Sequence, residues 1–317
     1  HLRASNLAHL LAISGLHMGL LTGFVFTALR IGFALVPAVV LYRPAKKIAA
    51  VGALLAGAVY LALSGGNVAT ERAFIMVAVM LVAVILDRRA LTLRSVAIAA
   101  TLVLIRRPEE LTGPGFQMSF AATTALVAIY GAMRTHGLSQ HRWPRWVRLV
   151  GGVALSSLIA GMATAPIGAA HFNQVPHYGI VANVLAVPLM GAVIIPCAVL
   201  AAFLAPIGLG WIGLHLMAPA IAWILRVAET VSSWEGAVSH VIAPGPLVLP
   251  VFALGALWLA LWQGRAKALG VPVVAMALVL WAGSERPAVL VSESGGLLGV
   301  MTPEGRALSK PRGDGFA

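Results

Sequence analysis

The sequence predicts an all-α polytopic membrane protein of about ten transmembrane segments, some broken or re-entrant, with a short β-rich C-terminal tail. Sixty per cent of the 317 residues are hydrophobic and a tenth are charged, and the mean hydropathy is +0.94. A soluble domain of that composition would lack the polar groups to cover its surface. The apolar residues also fall into runs, and about 20 residues is what a helix needs to cross the hydrocarbon layer. The basic residues behind the net charge of +12 lie mostly in the gaps between runs.

The apolar segments cover about 10–41, 48–63, 73–86, 91–105, 116–133, 149–168, 178–205, 211–231, 247–263 and 269–283. The first carries Arg30 and reads either as one tilted helix or as a re-entrant half-helix followed by a span. The seventh contains Pro188, Gly191 and Pro196, so it should kink or break. With the N-terminus outside, the inside gaps hold twelve basic residues, Arg43, Lys46, Lys47, Arg88, Arg89, Arg94, Arg134, Arg142, Arg145, Arg148, Arg265 and Lys267. The outside gaps hold Arg72, Arg106 and Arg107. That bias follows the positive-inside rule and places the C-terminus outside. After Trp281, short apolar runs separated by Gly and Pro turns read as a β-meander. Residues 1–283 form the membrane domain, and 284–317 the start of an extracytoplasmic β-rich segment. The beginning at His1 and the ending at Ala317 read as those of a piece of a longer chain.

Polar groups inside hydrocarbon are costly, so their positions carry information. In the run Asn6 to Gly23, Asn6 with His9 and Ser14 with His17 are three apart and share a helix face. Gly15, Gly19 and Gly23 form a small-residue ridge of the kind that lets another helix approach closely. The stretch Ser64 to Arg72 breaks at Gly65-Gly66. Asn67 or Thr70 can cap the following helix, Glu71 suits its first turn, and Arg72 either pairs with acid nearby or meets an anion. A turn-rich loop, Pro108 to Gly115, leads to Gln117 and Ser119 just inside a span. The uncharged connection Ala165 to Gly179 holds His171 and His177, with Asn183 beyond. Arg226 and Glu229, three apart in one span, should pair with each other, and His215 should be hydrogen-bonded locally.

Several chemistries are excluded. There is no P-loop, GxSxG or GxGxxG motif, no HExxH zinc motif, and only one cysteine, Cys197, a packing residue. No catalytic residue, metal or cofactor is expected, and the chain is not read as an enzyme.

The stretch His9-Leu-Leu-Ala-Ile-Ser-Gly-Leu-His17-Met-Gly strongly resembles the signature of the ComEC family of competence DNA-uptake channels. Glu71-Arg-Ala-Phe-Ile-Met76, Gly115-Phe-Gln-Met-Ser-Phe120, and Ala165-Pro-Ile with His171, Asn183 and Pro188 are similar to further family segments. The resemblance implies an inner-membrane channel passing single-stranded DNA into the cytoplasm during natural transformation. It also implies DNA-receptor and motor partners, and flanking OB-like and metallo-β-lactamase-like domains outside this sequence. The DNA path or gate would use His9, Ser14, His17, Asn67, Arg72, Gln117, His171 and Asn183, with Arg30 as a weaker candidate. On this reading Arg72→Ala lowers DNA uptake without changing protein level. Two other readings fit the residues: a proton-coupled secondary transporter of a small solute using His or Glu229, and an intramembrane enzyme acting on a lipid-linked substrate through His9 and His17; the polar clusters argue against a passive scaffold.

Overall fold

Runs rich in Ala, Leu, Val and Gly satisfy their backbone hydrogen bonds in hydrocarbon by coiling into helices. The computed structural model describes residues 1–11, 14–35, 44–135, 144–285, 288–292, 296–302 and 305–310. Its helices are α1 (Ala8–Leu11), α2 (Gly15–Ala34), α3 (Ala45–Leu63), α4 (Val68–Ile85), α5 (Leu93–Arg106), α6 (Pro114–Thr135), α7 (Arg145–Phe172), α8 (Gly179–Leu189), α9 (Ile195–Leu204), α10 (Gly210–Ser232), α11 (Val248–Leu261) and α12 (Gly270–Ala282). Every predicted segment lands on helix. Eight stretches are long and apolar enough to cross a membrane, with Gly179–Ile207 counted as one and Arg265–Ala282 as another. Helices α5 and α11 have 14 residues each, about 21 Å at ~1.5 Å per residue, which is short of the ~30 Å hydrocarbon core. Ala12, Ile13, Arg43 and Arg142 lie outside the described residues.

The first predicted segment is divided. Residues 1–11 fold as turns and the short α1, and α2 follows as the span, the order of the half-helix alternative. Leu7 and Leu10 are fully buried against Ala182, Ala186 and Met190 of the α8 stretch and Ile224 of α10. Asn6 takes a left-handed backbone, φ 60°, which Asn tolerates better than most residues. A Cβ at Gly179 would lie 2.6 Å from the Asn6 side chain, so glycine there lets the N-terminal turn dock on α8. The seventh segment stays helical through Pro188 but is locally irregular: α8 ends at Leu189, a π-turn covers Met190–Ile194, and α9 begins with Pro196 in its first turn.

Two expectations fail. Residues 165–171, read as a connection, continue α7 through Pro166 to Phe172, and the helix stops where Asn173 adopts φ 55° as a left-handed cap. The Gly15–Gly19–Gly23 ridge is not a packed seam: a Cβ at Gly15 would meet Ala73 at 3.6 Å, but one at Gly19 or Gly23 would meet nothing within 4 Å. The seam belongs to the partner helix. Buried Ala49, Ala53 and Gly57 line α3, and a Cβ at Gly57 would meet Thr22 at 3.1 Å and Met18 at 3.4 Å. Met18 and Thr22 of α2 are therefore the knobs and α3 supplies the hollow; the glycines lie one residue, about 100°, further round α2.

Short connections make sequential helices antiparallel, and side-chain contacts define two ends. At the first end the starts of α2, α4, α6 and α8 meet the ends of α5 and α7. Beside them β1 (Gln174–Pro176) pairs antiparallel with β2 (Val238–His240), a ribbon not foreseen from the sequence. His1 Nδ1 lies 2.6 Å from Ser232 Oγ there. At the opposite end Lys47, in the first turn of α3, pairs with Asp87 just past α4. The predicted meander forms as β3 (Val289–Val291), β4 (Leu298–Thr302) and β5 (Gly305–Leu308), antiparallel in that order.

Candidate functional site

The polar residues singled out from the sequence converge on the first end, because each lies near a helix terminus there. Ser14 precedes α2 with extended backbone. Its Oγ donates to the His9 carbonyl at 2.8 Å and lies 3.2 Å from His17 Nδ1. With its one proton committed, the hydroxyl accepts from His17 Nδ1–H, which leaves Nε2 of that ring as an acceptor. His9 is exposed and His17 half-buried, so the pair forms a hydrogen-bonded element at the bundle end rather than a fully packed core contact.

Asn67 acts as a cap: its Oδ1 accepts from the backbone N–H of Thr70 at 3.0 Å, holding the start of α4 after the Gly65-Gly66 break. Arg72 sits one turn in and is buried. Its Nη1 donates to Glu110 Oε2 at 2.9 Å, and a Cβ at Gly115 would lie 3.0 Å from its Nη2. The guanidinium is thus sandwiched between the Pro108–Thr112 turn and the start of α6. Glu71 turns the other way and takes hydrogen bonds from Arg106, at the end of α5, and from Arg107, the latter at 3.0 Å. These ion pairs lock α4, α5 and α6 around a pocket of about 10 Å³ between Glu71, Arg72, Arg107 and Glu110, room for one water. Arg72 is committed to Glu110 and not to an open path, so the sequence-based expectation that Arg72→Ala leaves the protein level unchanged no longer follows. Sequence reasoning missed Glu110 as its partner; the only signal was an acidic pair, Glu109-Glu110, beside a basic pair, Arg106-Arg107.

Gln117 and His171, placed separately by the sequence, meet. His171 Nε2 is 3.0 Å from Gln117 Oε1, and Gln117 Nε2 donates to the Leu111 carbonyl at 3.0 Å. That bridge ties α6 to the end of α7. Asn183 is buried on α8 and its Oδ1 has no hydrogen-bond partner; Thr70 Oγ1 is the other such atom among the described residues. Buried polar atoms are nearly always satisfied, so two exceptions beside the same polar end set it apart from the rest of the bundle. The remaining candidates lie elsewhere. Arg30 is exposed near the far end of α2 with its guanidinium 5.7 Å from the Phe26 ring centroid. Arg226 and Glu229 do not form the expected pair: among the described residues the ion pairs are Lys47–Asp87, Arg72–Glu110 and those of Glu71 with Arg106 and Arg107. Both are exposed on α10. His215 bonds the Trp211 carbonyl at 3.1 Å, as expected. Among the described residues, no group of three or more His, Cys, Asp and Glu is placed to hold a metal ion.

The chain matches the family described as Competence protein over residues 1–266. It is 27% identical over 257 residues to ComE operon protein 3 of Bacillus subtilis (strain 168), an alignment covering 78% of this chain and 30% of that protein. The chain thus spans less than a third of the length of that curated relative. No solved structure matches it. With the family match running through the helical bundle and its polar end, this multi-pass membrane protein belongs to the Competence protein family.

Proposed function

We propose that this chain is the membrane channel of a DNA-uptake machine, passing single-stranded DNA across the inner membrane into the cytoplasm during natural transformation. The observation that carries the reading is the gathering of His9, Ser14, His17, Gln117 and His171 at one end of an otherwise apolar bundle belonging to the competence family. A strand passing through a bilayer needs wet, sequence-tolerant hydrogen-bonding contacts in place of lipid, and the exposed His9 and half-buried His17 and His171 imidazoles offer them. The first end faces outward, by the positive-inside rule, and the C-terminal meander with it. The chain conducts and does not catalyse; the driving force comes from a motor partner or the membrane potential, and DNA is delivered by a receptor on the outer side.

The test is uptake of labelled DNA in a transformable strain lacking the gene and complemented with the full-length protein. His9→Phe combined with His17→Phe removes the hydrogen-bonded element while keeping apolar bulk, so uptake should fall several-fold with the protein still present in the membrane. Normal uptake by that variant defeats the reading. Unaltered DNA uptake with lost accumulation of a small solute would install the proton-coupled transporter in its place.

A further inference from the structure

We propose that the cleft between Arg89 and Arg134, at the end of the bundle opposite the histidines, is a phosphodiester-binding site that receives the DNA strand as it leaves the channel. The proposal rests on the channel reading and adds to it a second contact point, on the inner side.

The cleft has a volume of about 570 Å³ and is lined by Arg89, Ala90 and Leu91 of the α4–α5 connection and by Arg134 and Thr135 at the end of α6. That volume lies within the ~300–1,000 Å³ of small-ligand sites. Both arginines are exposed, and Arg88 and Arg94 are exposed beside them. None of the four has an acidic partner among the described ion pairs. The carboxylate nearest in sequence, Asp87, is held by Lys47. The Thr135 hydroxyl donates to the Gly131 carbonyl, so it is already engaged within its own helix.

Two ordinary explanations account for part of this. Basic residues on the inner side set topology, and Arg134 in the last turn of α6 complements the helix dipole. Neither requires two arginines from different helix ends to line one cleft. Both charges lining the cleft are arginine, the side chain whose planar fork matches a phosphate. A lipid headgroup needs no cleft, because exposed arginines reach headgroups from a flat surface. A single strand uses the concavity. Its phosphates meet the two guanidinium groups, and its sugars and bases lie on Ala90 and Leu91, a leucine left 61% exposed. The position also fits. The same α4 that carries Arg72 one turn in is 18 residues long, about 27 Å at ~1.5 Å per residue, and ends at Ile85 just before the cleft, so one rigid element joins the polar entrance to the arginine cleft.

The experiment uses the full-length protein in lipid nanodiscs with a fluorescent oligodeoxythymidine as probe, in neutral phosphatidylcholine and again with phosphatidylglycerol added. R89A/R134A should weaken binding in neutral nanodiscs by about tenfold or more and lower the slope of log affinity against log salt by about 1.4, at ~0.7 per single-strand phosphate contact. R89K/R134K should restore the slope, since it keeps both charges, and regain only part of the affinity. Unchanged oligonucleotide affinity and slope in R89A/R134A overturns the exit site while leaving the channel reading intact, because that reading stands or falls on uptake. Absence of oligonucleotide binding by the wild type overturns it too. Loss of phosphatidylglycerol enrichment around R89A/R134A with oligonucleotide binding unaltered overturns it in favour of a lipid site.

Discussion

The two ends of the bundle use the same side chain in opposite ways. At the histidine end, Arg72, Arg106 and Arg107 are matched to Glu110 and Glu71, and Arg72 is buried. At the other end, Arg88, Arg89, Arg94 and Arg134 are exposed with no acidic partner among the described ion pairs. A buried guanidinium must be paired, since the desolvation it suffers is several kcal/mol; an exposed one keeps its hydration and its freedom to bind a passing anion. The first end is thus held together by its charges, and the second presents them. Substitutions that disturb the two ends should differ in kind: loss of the fold at one, loss of a ligand at the other.

The largest effect is expected at Arg72–Glu110. Arg72→Ala or Glu110→Ala leaves one charge stranded beside α6 and should destabilise the protein by about 3–5 kcal/mol, read as a fall in thermal midpoint and in monodisperse yield in detergent. Arg72→Met combined with Glu110→Leu removes both charges and should recover most of that loss. If Arg72→Ala folds as well as the wild type, the contrast between the ends disappears.

The next effect sharpens the comparison by asking what holds the second end, where the one described ion pair is exposed. There α10 rests on α9 by backbone contact: a Cβ at Gly213 would lie 2.6 Å from the backbone nitrogen of Ala201. Gly213→Ala must push two helices apart, at a cost of about 1–3 kcal/mol. Gly19→Ala and Gly23→Ala, on the open face of α2, meet nothing within 4 Å and should stabilise by roughly 0.5–1 kcal/mol through helix propensity. Thermal midpoints of the three variants check this. Destabilisation at Gly19 or Gly23 would mean that another helix covers that ridge after all.

These residues also show where sequence reading succeeds. The helices were legible because hydropathy in runs of about 20 residues has few other solutions, and the irregular turn after Pro188 because proline removes a bond from the helical ladder. Asn67 as a cap and Ser14 with His17 were legible because their partners are three residues away. Partners distant in sequence were not. Glu110 lies 38 residues from Arg72, and Glu71, the adjacent acid, was the nearer guess. The glycine ridge misled because a small-residue face marks where a helix is able to pack, not where one does. The end of α7 was placed at 168, where hydropathy fades, whereas the helix runs on to Phe172 and stops at the left-handed Asn173.

The smallest effect concerns the exposed pair at the second end. Lys47 donates a hydrogen bond to Asp87, and this, ahead of the attraction of the lysine charge, holds the Asp87 carboxyl below its ordinary value. Its folded-state pKa is depressed, so the pair favours the fold above the unfolded carboxylate value of about 3.9 and stops doing so as pH falls through the folded value. Asp87 has φ 56°, a conformation Asn also adopts readily, so Asp87→Asn removes the charge without straining the turn. Because Asp87 is exposed, solvent and salt screen the pair. Wild type and Asp87→Asn should therefore have closely similar thermal midpoints at neutral pH, with the small wild-type advantage fading in acid and in high salt. A large loss of stability on Asp87→Asn at neutral pH would show that the second end, too, depends on a matched charge, and the division between a paired end and a presenting end would have to be redrawn.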